Sequence, residues 1–359
     1  MKQMGILYSK LKMFHFKEKL DSLPLENPQI LPPLHVRVKP TNICNHNCWY
    51  CAYRRDTIQL GKDMVVREQI PETKMMELVD DFIDMGVKAV IFSGGGDPLC
   101  YPHLTKTAQC LAEADIKIAT LTNGALLTGE IAEIFAAKGS WIRVSVDGWD
   151  SRSYAEYRGV SELEFQRVIT NLAEFRKRST RCLVGVVIIV DSKNHPHVYD
   201  LIRRFRDMGV HSVKIAPCFT CNDGDENNRY HEPHFDLVKE QIQRAISEFQ
   251  SASFEIFDSY YAQLCTFHKE YDWCPYTQIN PVVGADMNVY SCHDKAYNLD
   301  SGLLFSIKER RFKEMWLADK QQFMTIKPRC HCNHHCIVND KNKMILEYLN
   351  LDRGHLEFV

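Results

Sequence analysis

The sequence predicts an α/β fold, a curved parallel sheet with helices outside it, and three observations predict it. Short β-branched runs alternate with longer amphipathic segments from about residue 35 to residue 260. The runs fall at 35–39, 89–93, 116–121, 142–146, 183–190 and 212–216, with helical periodicity between them at 72–85, 103–114, 129–138, 162–178 and 197–208. Glycines follow three of these helices (Gly86, Gly139 and Gly209), where a left-handed C-terminal residue costs glycine little. In repeated strand-helix units of this kind the functional loops gather at the C-terminal ends of the strands. The segment just after each strand is therefore the place to look for chemistry.

Composition sets the bounds. The chain has 359 residues, 45% hydrophobic and 25% charged, which excludes disorder and collagen-like structure and is enough apolar material for one large core. Forty-four Lys plus Arg against 46 Asp plus Glu leave a net charge of -2, so no nucleic-acid partner is expected. The expected division is an N-terminal capping segment at 1–34, the α/β unit at 35–260, and a Cys, His, Pro and Gly-rich part at 261–359. The first segment carries Lys2, Lys10, Lys12, Lys17 and Lys19 with Met13, Phe14 and Phe16; a membrane-surface helix is the alternative to a cap. No apolar run reaches the length of a membrane span, and the start lacks the apolar core of a secretion signal, so the chain reads as cytoplasmic. In a reducing compartment its 14 cysteines point to metal ligands or catalysis rather than disulfides.

The sharpest motif comes after the first strand: Cys44, Cys48 and Cys51 in a CxxxCxxC. Three thiolates on one loop can face a single point, which suits an iron-sulfur cluster with one iron left open; zinc completed by His46 or a distant residue is the alternative. After the second strand come Ser93, Gly94, Gly95, Gly96, Asp97 and Pro98, where missing side chains let backbone approach a ligand closely. Thr122, Asn123 and Gly124 come after the third strand. Ser145 and Asp147 come after the fourth, with Tyr157, Arg158 and Gly159 downstream, and Asn194 lies beyond the fifth. Cys218 and Cys221 come after the sixth strand, where a thiol could return hydrogen to a substrate radical or act as a base. Asp223, Asp225, Glu226, Tyr230, His231 and Glu232 read as a solvated polar loop, and Cys100, Cys110, Cys182 and Cys265 as structural. In the tail, Cys274, Cys292, Cys330, Cys332 and Cys336, interleaved with His331, His334 and His335, form a second metal-binding constellation.

Together these motifs resemble the radical S-adenosylmethionine (radical SAM) superfamily over roughly residues 35–340. The resemblance implies a partial (β/α)6 TIM-like barrel followed by a small SPASM/Twitch-like auxiliary domain, within which Gly284, Cys292 and Trp316 occupy the corresponding places. It implies that Cys44, Cys48 and Cys51 hold a [4Fe-4S] cluster whose open iron binds S-adenosylmethionine. Tyr50 takes the aromatic place before the third cysteine. Gly94, Gly95, Gly96, Asp97, Asn123, Ser145 and Arg158 fall where the family contacts that cofactor, with Asp97 where Glu is usual. One auxiliary [4Fe-4S] cluster is implied, held by Cys274, Cys292, Cys330 and either Cys332 or Cys336, with a histidine ligand or zinc as alternatives. The expected activity is hydrogen abstraction from a small polar, carbohydrate-like substrate, ending in dehydrogenation or epimerisation, with flavodoxin or ferredoxin as electron donor. Peptide modification and a non-catalytic zinc protein are the competing readings.

Overall fold

The computed structural model describes residues 8–58, 60–265, 267–332 and 334–358, apart from the side chain of Cys265. The expectations for Lys2 and Cys265 lie outside the described residues. Seven strands run parallel in chain order: β1 (His35–Val38), β2 (Ala89–Phe92), β3 (Lys117–Thr122), β4 (Gly139–Ser145), β5 (Leu183–Val190), β6 (Ser212–Pro217) and β7 (Glu255–Asp258). Three short strands, β8 (Val282–Val283), β9 (Asn288–Tyr290) and β10 (Leu303–Ser306), complete a ten-stranded sheet in the order β10-β9-β8-β1-β2-β3-β4-β5-β6-β7.

The helices are α1 (Lys17–Asp21), α2 (Glu72–Met85), α3 (Leu104–Glu113), α4 (Gly129–Lys138), α5 (Ser151–Arg158), α6 (Leu163–Arg178) and α7 (Val198–Asp207) in the first part of the chain. They continue with α8 (Gly224–His231), α9 (Phe235–Phe249), α10 (Tyr260–Cys265), α11 (Phe312–Ala318), α12 (Pro328–His331) and α13 (Asn339–Asn350). The curved parallel sheet expected from the periodicity is present, and it has a seventh parallel strand, β7, beyond the six of the implied partial barrel. Alternation decides its two faces. Val36, Val38, Val90, Phe92, Ile142 and Val144 point outward and are buried against Leu78, Phe82, Leu104, Phe135, Val168 and Phe175 of the helices. Each such side chain removed from water stabilises the fold by about 1.5–3 kcal/mol. In-register neighbours one position along each strand point inward, toward the mouth where the loops converge.

Two expectations are corrected. Gly86 and Gly209 take the left-handed conformation, φ 72° and 77°, but Gly139 has φ -62° and opens β4 directly. Its need is space: a Cβ there would meet the Phe135 carbonyl oxygen at 2.5 Å. The polar stretch read as a solvated loop is instead helix α8, started by the Asp223 carboxylate accepting from the Glu226 amide at 2.8 Å, with His231 fully buried at its end. The N-terminal segment is a cap made of a 3-10 turn (Lys10–His15) and α1. Its Met13, Leu20 and Leu23 pack with Tyr276, Ile279 and Ile345 of the tail, and Phe14 lies against the same cluster, while Phe16 stays exposed.

Candidate active site

The loop bearing Cys44, Cys48 and Cys51 leaves β1 and is clamped from two sides. On one side the Gly96 amide donates to the Thr41 carbonyl at 3.1 Å and the Asp97 amide to the Ile43 carbonyl at 3.0 Å. On the other, the amides of Asn47 and Trp49 donate to the carbonyls of Arg158 and Tyr157 at 2.8 and 3.2 Å. Gly159, left-handed at φ 59°, ends α5 so close that a Cβ would stand 2.8 Å from the Asn47 carbonyl oxygen. The three glycines after β2 serve the same clamp. A Cβ on Gly95 would strike Asn42 Oδ1 at 2.4 Å, one on Gly96 the Ile43 oxygen at 2.0 Å, and one on Gly94 the Gly96 oxygen at 1.5 Å. Their first function is to let two loops lie backbone to backbone.

Asp97 holds the next loop in place. Its buried carboxylate accepts from Thr122 Oγ1 at 3.0 Å, from the Asn123 amide at 2.7 Å and from the Leu99 amide at 2.9 Å. Burial raises its pKa and these donors oppose the rise. All of its hydrogen bonds in the structure are thus internal, and the shorter Asp braces the strand-end loops. Asn123, so held, points its amide at Asn45 Oδ1 (2.7 Å) and lies 3.9 Å from the Cys44 sulfur.

Arg158 and Asp147 form a buried ion pair with two further partners. Arg158 Nη1 lies 3.5 Å from the Cys48 sulfur, and its guanidinium lies over the rings of Tyr50 and Tyr154, each 5.6 Å away. Asp147 also accepts from the Tyr50 hydroxyl and from the Ile189 amide, while Asn194 Nδ2 donates to its carbonyl at 3.2 Å. Tyr50, Asp147, Arg158 and Asn194 are therefore one connected network at the first thiol loop. Ser145, the last residue of β4, is half-buried and in register with Val187.

Burial, followed by the charge of Asp97, pushes the Cys44 thiol up to about 12, and burial raises Cys51. Thiols must lose their protons to bind metal. His46 is turned away, 3.4 Å from Glu164 and edge-on to Tyr154, with its pKa lowered to about 3 by burial and then by Arg158. It does not complete a zinc site with the three cysteines.

In the tail, Cys274, Cys292, Cys332 and Cys336 line one small cavity together with Lys269, Tyr271 and His334. Burial and then Asp294 raise Cys292, with Cys336, Cys332 and Cys274 adding to the rise. Cys330 is exposed on α12 and does not line this cavity. The expected set with Cys330 plus one of Cys332 and Cys336 is thus replaced by a grouping that contains both of the latter. His331 accepts from the Lys327 amide through Nδ1 at 3.1 Å, and His335 is stacked on Phe219 and set against Phe267, both at 4.9 Å. Among the described residues no three Cys, His, Asp or Glu side chains are grouped closely enough to hold a single metal ion. Four thiols around one cavity are a donor set that an iron-sulfur cluster or zinc takes.

Cys218 directly follows β6, fully buried, its thiol pushed up to about 12 by burial and then Asp191. Cys221 is half-buried, with its sulfur 3.5 Å from the Asp223 carbonyl. Sequence reasoning missed Lys39, Tyr53 and His293. The Lys39 amine donates to the Tyr53 hydroxyl and to the Gly94 carbonyl (3.1 Å), and Tyr53 lies 3.3 Å from His293 Nδ1, next to Cys292. Tyr53, two residues after Cys51, and His293, next to Cys292, were marked only by those neighbours, and Lys39 carried no signal.

Residues 38–205 match the model of the radical SAM superfamily and form a radical SAM domain. Proteins of this superfamily bind a [4Fe-4S] cluster and S-adenosylmethionine. The fold is similar to Streptococcus suis SuiB bound to S-adenosylmethionine, with TM-score 0.61 and 15% identity over 88% of this chain and 73% of that one. It is similar also to anSMEcpe with bound AdoMet, with TM-score 0.59 and 17% identity over 88% and 96%. In sequence it is 22% identical over 196 residues to the AdoMet-dependent heme synthase of Methanosarcina barkeri (strain Fusaro / DSM 804), and 23% over 203 residues to the GTP 3',8-cyclase of Synechococcus elongatus (strain ATCC 33912 / PCC 7942 / FACHB-805). These matches take in 54% and 56% of this chain, which spans 53% and 59% of the length of those relatives.

Proposed function

We propose that the chain is a radical SAM enzyme acting on a small polar, carbohydrate-like substrate inside the barrel. The observation that carries it is the loop of Cys44, Cys48 and Cys51 clamped at the strand ends with Arg158 and Asn123 beside its sulfurs. Cys44, Cys48 and Cys51 would hold a [4Fe-4S] cluster with S-adenosylmethionine, which together would supply radical chemistry for hydrogen abstraction from carbon. The chain's own residues do the rest. Arg158 stabilises negative charge on the Cys48 sulfur, Tyr50 and Asp147 keep Arg158 in position, and Asp97 and Asn123 hold the adjoining loop, with the backbone of residues 94–96 and Ser145 at the cofactor's edge.

Cys274, Cys292, Cys332 and Cys336 hold an auxiliary [4Fe-4S] cluster in this reading. Residues 1–34 are the cap, 35–260 the barrel and 261–359 the auxiliary part. Cys218 is a protonated, buried thiol, the form that gives up a hydrogen atom, so it is the better of the two loop cysteines for an epimerase, whereas a dehydrogenase would not need it. The reductant is a flavodoxin or ferredoxin and the compartment the cytoplasm; among the described residues no helix is long and apolar enough to cross a membrane.

Iron, sulfide and zinc are measured after anaerobic reconstitution, beside a variant with Cys44, Cys48 and Cys51 all changed to Ala. About eight irons per chain falling to about four, with 5'-deoxyadenosine formed on reduction by the unmodified chain alone, is the expected result. Stoichiometric zinc without iron would overturn the reading. A peptide substrate is the second reading, favoured by the fold's likeness to SuiB bound to precursor peptide SuiA. Formation of 5'-deoxyadenosine stimulated by peptides and by no sugar would select it.

A further inference from the structure

The inner face of the sheet carries an unusual set of charges. Register identifies it: Arg37 is level with Ile91, Ile91 with Ala119 and Ala119 with Trp141; two residues on, Arg143 is level with Gly185 and Gly185 with Ser212, two residues before Lys214. Arg37, Arg143 and Lys214 therefore share one face, and Lys39 extends it past the end of β1. The opposite face is the one packed against the helices.

Four cations on the inside of a barrel need compensation. The buried pair of Arg158 with Asp147, and the buried Asp81 with its half-exposed partner Arg311, lie elsewhere. Among the described residues none of the four is paired with a carboxylate. Arg37 is 9% exposed, and its Nε, like that of Arg143, is buried without a hydrogen-bond partner. The remaining contacts are to neutral groups: Arg37 Nη1 to His293 Nδ1 at 3.3 Å, Lys39 to Tyr53 and Gly94, and Arg143 to the Tyr8 hydroxyl. Lys214 lies 5.7 Å from the Phe257 ring centroid. Burial and mutual repulsion lower Lys214 to about 7 and Lys39 well below the lysine range, with Asp294 the acid that opposes both shifts. Leaving cations buried and unpaired is costly, so an occupant of opposite charge belongs there.

We propose that Arg37, Lys39, Arg143 and Lys214 form the seat for an anionic group, a phosphate or carboxylate, on the small-molecule substrate. This deepens the radical SAM reading and rests on it: Lys39 donates to Tyr53, two residues after Cys51, and Arg37 lies 3.3 Å from His293, which follows Cys292. The β1 end of the seat thus adjoins both thiol groups. Guanidinium forks and amines match oxyanions in geometry and charge, and a neutral sugar would leave them unpaired.

The test uses the chain reconstituted with iron and sulfide and supplied with S-adenosylmethionine, titrated calorimetrically with orthophosphate, glucuronate and glucose. At least one of the two anions binds, the tighter of them naming the group, binding weakens with salt, and glucose gives no signal. Lys214→Met and Arg143→Met each weaken the anion by about tenfold, while Lys214→Arg retains it and iron per chain is unchanged. No anion binding by the unmodified chain, or equal binding by the Met variants, overturns the proposal. So does loss of iron in the Met variants with anion binding intact, which would assign the cations to the clusters. Formation of 5'-deoxyadenosine on reduction is read on the same preparation. Its absence from a chain that binds orthophosphate would remove the radical reading and leave the anion seat supported.

Discussion

Arg158 is held by Asp147 and itself contacts a thiol of the first loop, so its loss leaves a buried carboxylate without its counter-charge. Arg158→Met is expected to destabilise the chain by about 3 kcal/mol, read as a lower denaturant midpoint, and to reduce iron at the first site; adding Asp147→Asn should restore part of the stability. His231 offers a pH test. Its ring is bonded to the Cys218 carbonyl at 2.8 Å and to the Tyr260 hydroxyl at 3.0 Å, and burial lowers its pKa from 6.5 to about 4. The unfolded chain therefore binds the proton more readily. Stability is full above pH 6.5 and falls as pH drops toward 4, by up to about 3 kcal/mol from this group. Denaturation of His231→Asn across that window should show a shallower slope; an unchanged slope would assign the acid sensitivity to other groups such as His234. At this scale the sequence showed what covalent spacing encodes, the cysteine motifs and the glycine runs. It did not show Lys39, Tyr53 or His293, because the contacts that join them link positions 39, 53 and 293 and have no local pattern.

The loop after β2 and the end of α5 are the two clamps on the thiol loop, and glycine makes both possible. Gly96→Ala forces a methyl against the Ile43 carbonyl, where backbone cannot yield cheaply. It should cost about 1–3 kcal/mol and lower iron retention at the first site, whereas Gly86→Ala, with open space around its Cβ, should cost stability through its positive φ and leave iron unchanged. Short α12 separates Cys330 from the cavity that Cys332 and Cys336 reach. Cys330→Ala is accordingly expected to keep the full iron content and Cys332→Ala to lose about four irons, as an iron assay would show. Periodic helices such as α2 and α4 were legible nearly to the residue. Two long helices, α9 and α13, were missed although α9 buries a regular stripe of Val238, Ile242, Ala245 and Phe249. The other misses, α5, α8 and β7, are short, and the two helices among these three depend on capping groups, Asp150 and Asp223, rather than on an apolar stripe.

One sheet runs through the whole described molecule. The amides of Arg37 and Lys39, on β1 and just past its end, donate to the carbonyls of Pro281 and Val283 at 3.0 and 2.8 Å, so the cysteine-rich tail supplies the neighbour that β1 requires. A chain cut after residue 260 would expose that edge and is expected to aggregate, as size-exclusion chromatography would show. The parallel fold was readable from alternation across the first 260 residues. The pairing of β8 with β1 was not, since strands of two and three residues carry too little periodicity to announce a partner nearly 250 positions away. The ladder also sets a distance. The loop of Cys44 departs from β1, and Cys292 follows β9, with β8 as the single strand between them. Neither thiol group can recede from the other without tearing hydrogen bonds out of the sheet. Any electron exchanged between centres held at the two places would tunnel across a gap whose strand-side anchors are fixed by the sheet.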